Sequence, residues 1–440
     1  MVQIFRKHLR RLHRSARNGK PLAMHNDPHD SSTAVSAPWP YFAPDEIEAA
    51  VAVLRSGKVN YWTGEEGKRF EREFADFIGC KYAVAVANGT VALEAALRAL
   101  GVGPGDEVIT PSRTFVASAS CAVAVGARPV IADIDRISQN LSAETVRAVV
   151  TPRTKAIVAV HFAGWPCEMD EVLEVADQYR LNVIEDCAQA HGATYKGRVV
   201  GSMGHAAAFS FCQDKIMTTA GEGGMVTTNS ELAWRHVSSY KDHGKRYDAA
   251  FRKEDSAEFR WRHESFGTNW RMTEVQSAIG RVALRKLSEW IRLRRRNAEI
   301  LANCFARIPA LRVTRPPQHI GHAYYKYYVF IRPDRLASGW SRDRIIKAIT
   351  AQGVPCSDGG CSEIYREKAF SSEWPAGKRL PVARELGDNS LMFLVHPTLT
   401  ESDINRVCSA VEKTMARASQ NKVKASNTNS LAQGRLTGHS

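Results

Sequence analysis

The chain has 440 residues, of which 44% are hydrophobic and 24% are charged, and its formal net charge is +14. This composition is ordinary for a globular protein of two or three domains, and no apolar run is long enough to predict a membrane-spanning helix. Seven Lys/Arg and no acid lie in residues 1–20, and residues 412–440 carry a net +4. Subtracting both from +14 leaves +3 for residues 21–411, which argues against a nucleic-acid-binding surface.

The composition of the termini predicts the outer limits of the folded part. Residues 1–39 combine a basic extension with a linker rich in Pro, His, Asp and Ser, and residues 416–440 are rich in Ser, Asn, Thr and Lys. We expect both segments to be disordered. The nine cysteines follow no disulfide or metal-binding spacing, which favours reduced thiols and a cytoplasmic protein.

Between the termini, apolar strand-like runs alternate with segments of helical spacing. Strands are predicted in residues 82–90, 106–115, 128–134, 154–164, 181–192 and 205–211. Helices with apolar residues on one face, such as 91–101 and 168–178, lie between several of them. This alternation predicts an α/β domain over residues 40–300, with a large, mostly parallel sheet covered by helices.

A smaller α+β domain is predicted for residues 301–415. A long amphipathic helix, with apolar positions from Leu284 to Phe305, leads into it. Two further apolar runs, 326–333 and 391–397, are expected to form strands there.

Residues that follow the predicted strands determine what the large domain could bind, because open α/β sheets bind ligands beyond the carboxyl ends of their strands. Gly89 and Thr90 follow the first strand and open a helix, whose free N–H groups suit a phosphate. Ser210, at the end of a later strand, offers a hydroxyl to the same group. The alternative is that Thr90 only caps the helix.

Three more side chains follow strands of the same sheet. Phe115 could stack on a flat ring or belong to the core, and Asp186 could bind a protonated nitrogen or cap a loop. Lys215 could attack a carbonyl or lie on the surface in solvent. A phosphate site, a stacking ring, a carboxylate and an amine together match pyridoxal 5′-phosphate (PLP), which binds lysine as a Schiff base.

Four motifs in this order resemble the DegT/DnrJ/EryC1/StrS aminotransferases, over about residues 43–411. They are NGTVALEAALRALGVGPGDEVITPSRTFVASAS, VIEDCAQAHGA, FSFCQDKIMTTAGEGGMV and FGTNWRMTEVQSAIG. The resemblance implies a fold-type I aminotransferase that acts as a homodimer with shared active sites. It also implies a set of cofactor-binding residues: Gly89, Thr90, Phe115, Asp186, Gln189, Ser210, Lys215 and Asn269.

The resemblance also implies a role for each of these residues. Lys215 binds the cofactor covalently and then moves the proton, and Asp186 pairs with the ring nitrogen. Gln189 approaches the 3-oxygen, and Phe115 stacks on the ring. Gly89, Thr90 and Ser210 bind the phosphate, and Asn269 reaches the phosphate of the neighbouring subunit. Many members have histidine where this chain has Cys212, a change that points to a subgroup of polysaccharide-biosynthesis enzymes.

The predicted reaction is amino transfer from an amino acid, for which L-glutamate is favoured, to a keto group of a nucleotide-linked deoxysugar. Position C4 is favoured over C3, and polysaccharide or O-antigen biosynthesis is the expected context. Arg271, His322 and Tyr324 are candidate substrate contacts. Three alternatives remain open: a glutamine-dependent cyclitol aminotransferase, a non-catalytic PLP-binding regulator and a Rossmann-type oxidoreductase. The last would need a G-x-G-x-x-G motif after its first strand, which this chain lacks.

Overall fold

The computed structural model describes residues 35, 38–245, 263–371, 374–375 and 377–419. The expected disorder of residues 1–34 and 420–440 therefore concerns parts of the chain outside the described residues. The last helix continues to Ser419, so residues 416–419 belong to this helix and not to the tail predicted from composition. In the described residues, no helix is both long and apolar enough to cross a membrane.

A seven-stranded sheet forms the centre of the large lobe. Its strands are β1 (Tyr82–Val86), β2 (Glu107–Pro111), β3 (Arg128–Ala132), β4 (Thr154–Val160), β5 (Asn182–Asp186), β8 (Ala206–Ser210) and β9 (Gly224–Thr228). Their order in the sheet is β1-β9-β8-β5-β4-β2-β3. Neighbouring strands pair in parallel except at β9, which is antiparallel to both β1 and β8. The predicted fold class is thus confirmed, and six strands share one carboxyl edge.

Helices cover both faces of this sheet, as the buried runs of its strands require. They are α1 (Pro44–Ser56), α2 (Glu66–Ile78), α3 (Gly89–Ala99), α4 (Ala117–Ala124), α5 (Ala143–Arg147), α6 (Met169–Tyr179), α7 (Glu231–Tyr240) and α8 (Glu274–Phe305). Alternate residues of a strand enter opposite cores: Val84 and Val86 pack with α3 and α4, whereas Ala83 and Ala85 pack with α2 and α8.

The C-terminal part adds a small antiparallel sheet of three strands. Its elements are β10 (Leu311–Arg312), β12 (Tyr327–Ile331), α9 (Arg342–Thr350), α10 (Pro381–Asn389), β13 (Ser390–Phe393) and α11 (Glu401–Ser419). The strands pair in the order β10-β12-β13. A second small sheet joins the lobes through β11 (Ile320–Gly321), β6 (Thr194–Tyr195) and β7 (Arg198–Val199), in which β6 pairs with both of the others.

Helix α8 connects the two hydrophobic cores. Thr273 caps it, since its side chain accepts a hydrogen bond from the N–H of Gln276, and the helix extends for 32 residues, or about 48 Å. Leu287 and Ile291 pack in the large lobe, while Leu301 and Phe305 belong to the core of the small lobe. The predicted domain division at residue 300 falls inside this helix and stays a prediction.

Candidate active site

Asp186 ends the central strand β5 and is 5% exposed. Its carboxylate accepts hydrogen bonds from the Ser118 hydroxyl at 2.7 Å and from the N–H of Ala188 at 3.1 Å. The Ser118 hydroxyl also shares a 2.7 Å hydrogen bond with that of Thr114. These contacts fix the orientation of the carboxylate and leave it capacity to accept from a cationic donor, because an ionised carboxylate has about four acceptor positions.

A second strand end supplies a site for an anionic group. Helix α3 begins at Gly89 just after β1, and the side chain of Asn88 accepts a hydrogen bond from the N–H of Val91. Asn88, and not Thr90, therefore caps the helix. In the described residues the N–H groups of Gly89 and Thr90 have no hydrogen-bond partner. They are oriented as an anion requires, because the start of a helix carries a partial positive charge.

Ser210 lies directly against this helix start. A Cβ atom on Gly89 would lie only 2.5 Å from the Cβ of Ser210, so no residue other than glycine leaves room between them. Ser210 is 8% exposed, and its hydroxyl accepts a hydrogen bond from the N–H of Cys212 at 3.3 Å. The two strand ends thus form a narrow cradle with free N–H groups and one hydroxyl, which fits a phosphate. Thr90 is exposed beside it.

Lys215 lies in the turn between β8 and β9. Strand β8 is the parallel neighbour of β5, with Asp186 level with Ala208, so Lys215 leaves the sheet on the same edge as Asp186. The lysine is half-buried, and its Nζ lies 5.0 Å from the ring centroid of Tyr325. Its backbone N–H donates to the carbonyl of Cys212 at 3.1 Å, which holds the turn in shape.

Phe115 and Gln189 lie in loops on the same edge of the sheet. Phe115 follows β2 and is 65% exposed, so in this chain its ring is available for stacking. Gln189 is half-buried, and its Oε1 accepts a hydrogen bond from the N–H of Ala163 at 2.8 Å. This contact commits the amide oxygen and leaves the NH₂ group as the donor for a ligand.

Asn269 and Arg271 lie together in the segment that precedes α8. Asn269 is exposed and forms a backbone bridge with Asp242, while Arg271 forms one with Val86 at the end of β1. The Arg271 side chain is mostly buried and makes an ion pair with Asp242. Arg271 therefore contacts a carboxylate of its own chain, whereas Asn269 lies at the surface.

His322 and Tyr324 pack on each other near the small lobe. Their ring centroids are 3.7 Å apart, and the Nδ1 of His322 accepts a hydrogen bond from the N–H of Tyr324 at 2.9 Å. His322 is 6% exposed, and burial, together with the nearby Arg295, lowers the pKa of the imidazole to about 3. The neutral ring is a packing element here, and its contact with substrate stays a prediction.

Glu185, next to Asp186, points into the opposite core. Its carboxylate accepts from the N–H groups of Gly201, Met203 and Gly204 and from His161, whose Nε2 lies 3.1 Å away. Burial opposes the charged form, but these donors hold the pKa of Glu185 below its usual range. His161, Glu185 and Cys187 each offer one atom of a kind that binds metals, and these three atoms lie within 4.8 Å of one another. However, the Nδ1 of His161 already accepts from Cys167, so its lone pair is committed.

Trp39 contacts the turn that carries Lys215, and the sequence patterns do not reveal this contact. Its indole N–H donates to the backbone carbonyl of Lys215 at 2.9 Å, and its ring packs edge-on against Trp290 with centroids 5.3 Å apart. Arg294 lies 5.1 Å from the same ring. The contact with Lys215 spans 176 residues, so no local pattern in the sequence could predict it.

The family model for DegT/DnrJ/EryC1/StrS aminotransferases matches residues 40–412. The chain belongs to the DegT/DnrJ/EryC1/StrS family. This family membership makes the chain an aminotransferase that depends on PLP, as the sequence predicted. The free amides at the start of α3, the space left by Gly89, the carboxylate of Asp186 and the amine of Lys215 fit the phosphate, the ring nitrogen and the aldehyde of that cofactor.

The chain is also similar to individual proteins whose names describe aminotransferases or sugar biosynthesis. An aminotransferase structure from Psychrobacter cryohalolentis is 52% identical with a TM-score of 0.85, over 87% of this chain and 99% of that one. GDP-perosamine synthase of Caulobacter vibrioides is 38% identical over 80% of this chain and 92% of the relative. L-glutamine:2-deoxy-scyllo-inosose aminotransferase of Streptoalloteichus tenebrarius is 36% identical over 86% and 93%. The chain is therefore similar to sugar and cyclitol aminotransferases.

Proposed function

We propose that the protein transfers an amino group from an amino acid, with L-glutamate favoured, to the C4 keto group of a nucleotide-linked deoxysugar. The product would serve polysaccharide, lipopolysaccharide or O-antigen biosynthesis in the cytoplasm. The main observation behind this proposal is that β1, β5 and β8 end at the same edge of the sheet. Asp186, Lys215 and the cradle between Gly89 and Ser210 all lie at that edge. The similarity to GDP-perosamine synthase supports a nucleotide-linked sugar as the acceptor.

Each side chain has a defined task in this proposal. The N–H groups of Gly89 and Thr90 and the hydroxyl of Ser210 would bind the cofactor phosphate, and Phe115 would stack on its ring. Asp186, oriented by Ser118, would keep the ring nitrogen protonated. When bound, the cofactor supplies an electron-accepting ring that stabilises negative charge at the α-carbon of the donor.

Proton transfer is assigned to Lys215. Its Nζ would accept the proton from the α-carbon of the donor and, in the second half-reaction, return a proton to the carbon that receives the nitrogen. Two hydrogen bonds hold the backbone of Lys215 in place. Its N–H donates to the carbonyl of Cys212, and its carbonyl accepts from the indole N–H of Trp39. Because donor and acceptor use the same groups in turn, ping-pong kinetics are expected.

A homodimer with shared sites is part of the proposal. Asn269 is exposed just before α8 and would reach the cofactor phosphate of the second subunit. Arg271, His322 and Tyr324 are kept as proposed substrate contacts, although each has partners within its own chain.

Amination of a cyclic ketone derived from a cyclitol is the second candidate. The similarity to L-glutamine:2-deoxy-scyllo-inosose aminotransferase favours it, since that relative is matched over nearly its whole length. Its acceptor name includes no nucleotide, so the nucleotide requirement separates the two candidates. A non-catalytic PLP-binding regulator would bind the cofactor but would transfer no amine.

The test is incubation of the PLP-loaded protein with L-glutamate or L-glutamine and a panel of nucleotide-linked 4-keto and 3-keto sugars, followed by mass spectrometry. The proposal predicts an aminated nucleotide sugar from a 4-keto substrate, and NMR of the product identifies the aminated carbon. A parallel incubation with 2-deoxy-scyllo-inosose tests the second candidate, and amination of this ketone alone would establish it. Cofactor binding without any amine transfer would establish the regulator.

A further inference from the structure

Arg113 is a fully buried cation that the proposed chemistry does not yet use. It lies in the segment that joins β2 to α4, and its exposed fraction is 0%. Its guanidinium is enclosed by two aromatic rings, with the carbon Cζ 5.2 Å from the ring centroid of Phe162 and 5.1 Å from that of Tyr328. Both rings contact the guanidinium as cation–π partners, and its N–H groups are the atoms that can bind a further partner.

Among the residues that the structure describes, no carboxylate forms an ion pair with the guanidinium, and the Tyr328 hydroxyl is a nearby polar group that favours its charge. None of the three nitrogens, Nε, Nη1 or Nη2, makes a hydrogen bond. Burial lowers the pKa of the Arg113 guanidinium, and the Tyr328 hydroxyl and the Asp358 carboxylate offset only part of this effect. A buried charge with unmade hydrogen bonds is strongly unfavourable unless a ligand completes it.

The neighbours of Arg113 belong to the active site. The next residue, Thr114, shares a hydrogen bond with Ser118, which donates to Asp186. Phe162, which covers one face of the guanidinium, lies between His161 and Ala163. The N–H of His161 donates to the carbonyl of Asp186, and the N–H of Ala163 donates to the side chain of Gln189. Arg113 is thus next in sequence to Thr114, which is linked to Asp186 through Ser118. It also contacts Phe162, whose two sequence neighbours bind Asp186 and Gln189.

We propose that Arg113 binds the α-carboxylate of the amino-acid donor. This assignment rests on the proposed amino transfer and adds the residue that recognises the donor. Two parallel N–H donors of a guanidinium match the two oxygens of a carboxylate, and one such carboxylate enters and leaves in every turnover. Because the guanidinium is fully buried beside Phe162 and Tyr328, a small planar carboxylate is favoured over the larger diphosphate of a nucleotide sugar.

A glycine pair, Gly359 and Gly360, contacts the Tyr328 hydroxyl. The N–H of Gly360 donates to the Tyr328 hydroxyl at 3.0 Å, and a Cβ on Gly359 would lie 2.3 Å from the same hydroxyl oxygen. Beyond the pair lies a cavity of about 260 Å³, lined in part by residues 358–363. Gly359 and Gly360 thus line this cavity on one side and contact the Tyr328 hydroxyl on the other, and neither adds a side chain to the wall between them.

The test measures binding without turnover. Isothermal titration calorimetry of the PLP-loaded protein with 2-oxoglutarate reports carboxylate binding, and a parallel titration with uridine diphosphate reports nucleotide binding. Arg113→Met should raise the Kd for 2-oxoglutarate by about 10- to 100-fold, because two charge-assisted hydrogen bonds are lost. It should leave the Kd for uridine diphosphate unchanged. Arg113→Lys, which keeps the charge but loses the planar pair of donors, should give an intermediate loss.

Thermal unfolding separates ligand binding from a structural role. Removing an unpaired buried charge should keep or raise the Tm of the Met variant, because an apolar side chain of similar length replaces it. Arg292→Gln is the matched control, since Arg292 is an exposed arginine that pairs with Glu289 on α8. An unchanged Kd for 2-oxoglutarate in both Arg113 variants would overturn the assignment, as would a loss confined to uridine diphosphate. Neither titration needs a sugar acceptor, so failure of the sugar amination would leave this test intact.

Discussion

Replacing Gly89 by alanine tests whether the cradle between α3 and β8 binds the cofactor phosphate. The new Cβ would lie 2.5 Å from the Cβ of Ser210 and 3.0 Å from both its Cα and its Oγ. Carbon atoms pack best at about 3.5–4.0 Å, so the two segments must separate by about 1 Å. Neither can yield by rotating a flexible side chain, because Ser210 is buried at a strand end and Gly89 opens a helix. Overpacking of this kind costs about 1–3 kcal/mol.

The same displacement moves the N–H groups of the helix start away from the hydroxyl of Ser210. If the full strain is expressed in cofactor binding, the Kd for PLP rises by about 5- to 150-fold. Equilibrium dialysis followed by visible absorbance measures this Kd directly. Gly103→Ala is the control, because a Cβ there meets no atom within 4 Å. Adding Ser210→Gly to the Gly89 variant should restore thermal stability. Cofactor retention equal to that of the control would refute the reasoning.

The remaining predictions concern three residues. Lys215→Ala should abolish amino transfer while the protein still binds PLP, and full turnover of this variant, measured by product mass spectrometry, would remove Lys215 from its role. Asp186→Ala should lower kcat/KM by orders of magnitude, because the ring nitrogen loses its partner; a normal rate would mean that the ring lies elsewhere. His191 is buried between Phe209 and Phe211, and burial, with Lys215 nearby, lowers its pKa to about 3. Between pH 6.5 and about 3, His191 is protonated in the unfolded chain but neutral in the folded chain. The free energy of unfolding should therefore fall by up to about 1.4 kcal/mol per pH unit as the pH is lowered through this range. Urea titrations of the wild type and His191→Leu check this, and an equally steep pH dependence in both would contradict it.

The order of strands and helices could be predicted from the sequence because local patterns determine it. Each apolar run from β1 to β8 is bounded by turn residues, and the alternation with helices leaves few topologies. For the same reason, Asp186 and Lys215 could be assigned to one edge of the sheet from their places after strands. The start of α3 shows the limit of this approach. The sequence offers both Asn88 and Thr90 as the capping residue, and only the hydrogen bond from the N–H of Val91 shows that Asn88 is the cap.

Contacts between distant segments could not be predicted from the sequence. Arg113 follows a strand and has the pattern of an ordinary loop arginine, and its burial depends on Phe162 and on Tyr328 of the small lobe. The ion pair of Asp242 with Arg271 likewise depends on how the segment before α8 folds back. A sequence pattern indicates the face that a residue presents, but not which remote segment covers it.

The hydrogen bond from Trp39 to the carbonyl of Lys215 makes the first described residues a support for the reactive amine. Trp39 is held at the same time by stacking on His396 of the small lobe, and the carbonyl of Pro38 accepts from the hydroxyl of Thr398. Shortening the protein to begin at Pro40 would spare every proposed PLP contact, yet it would remove one of the two hydrogen bonds that the backbone of Lys215 makes. Trp39 therefore ties the turn of Lys215 to the small lobe, although it contributes no group to the proposed chemistry.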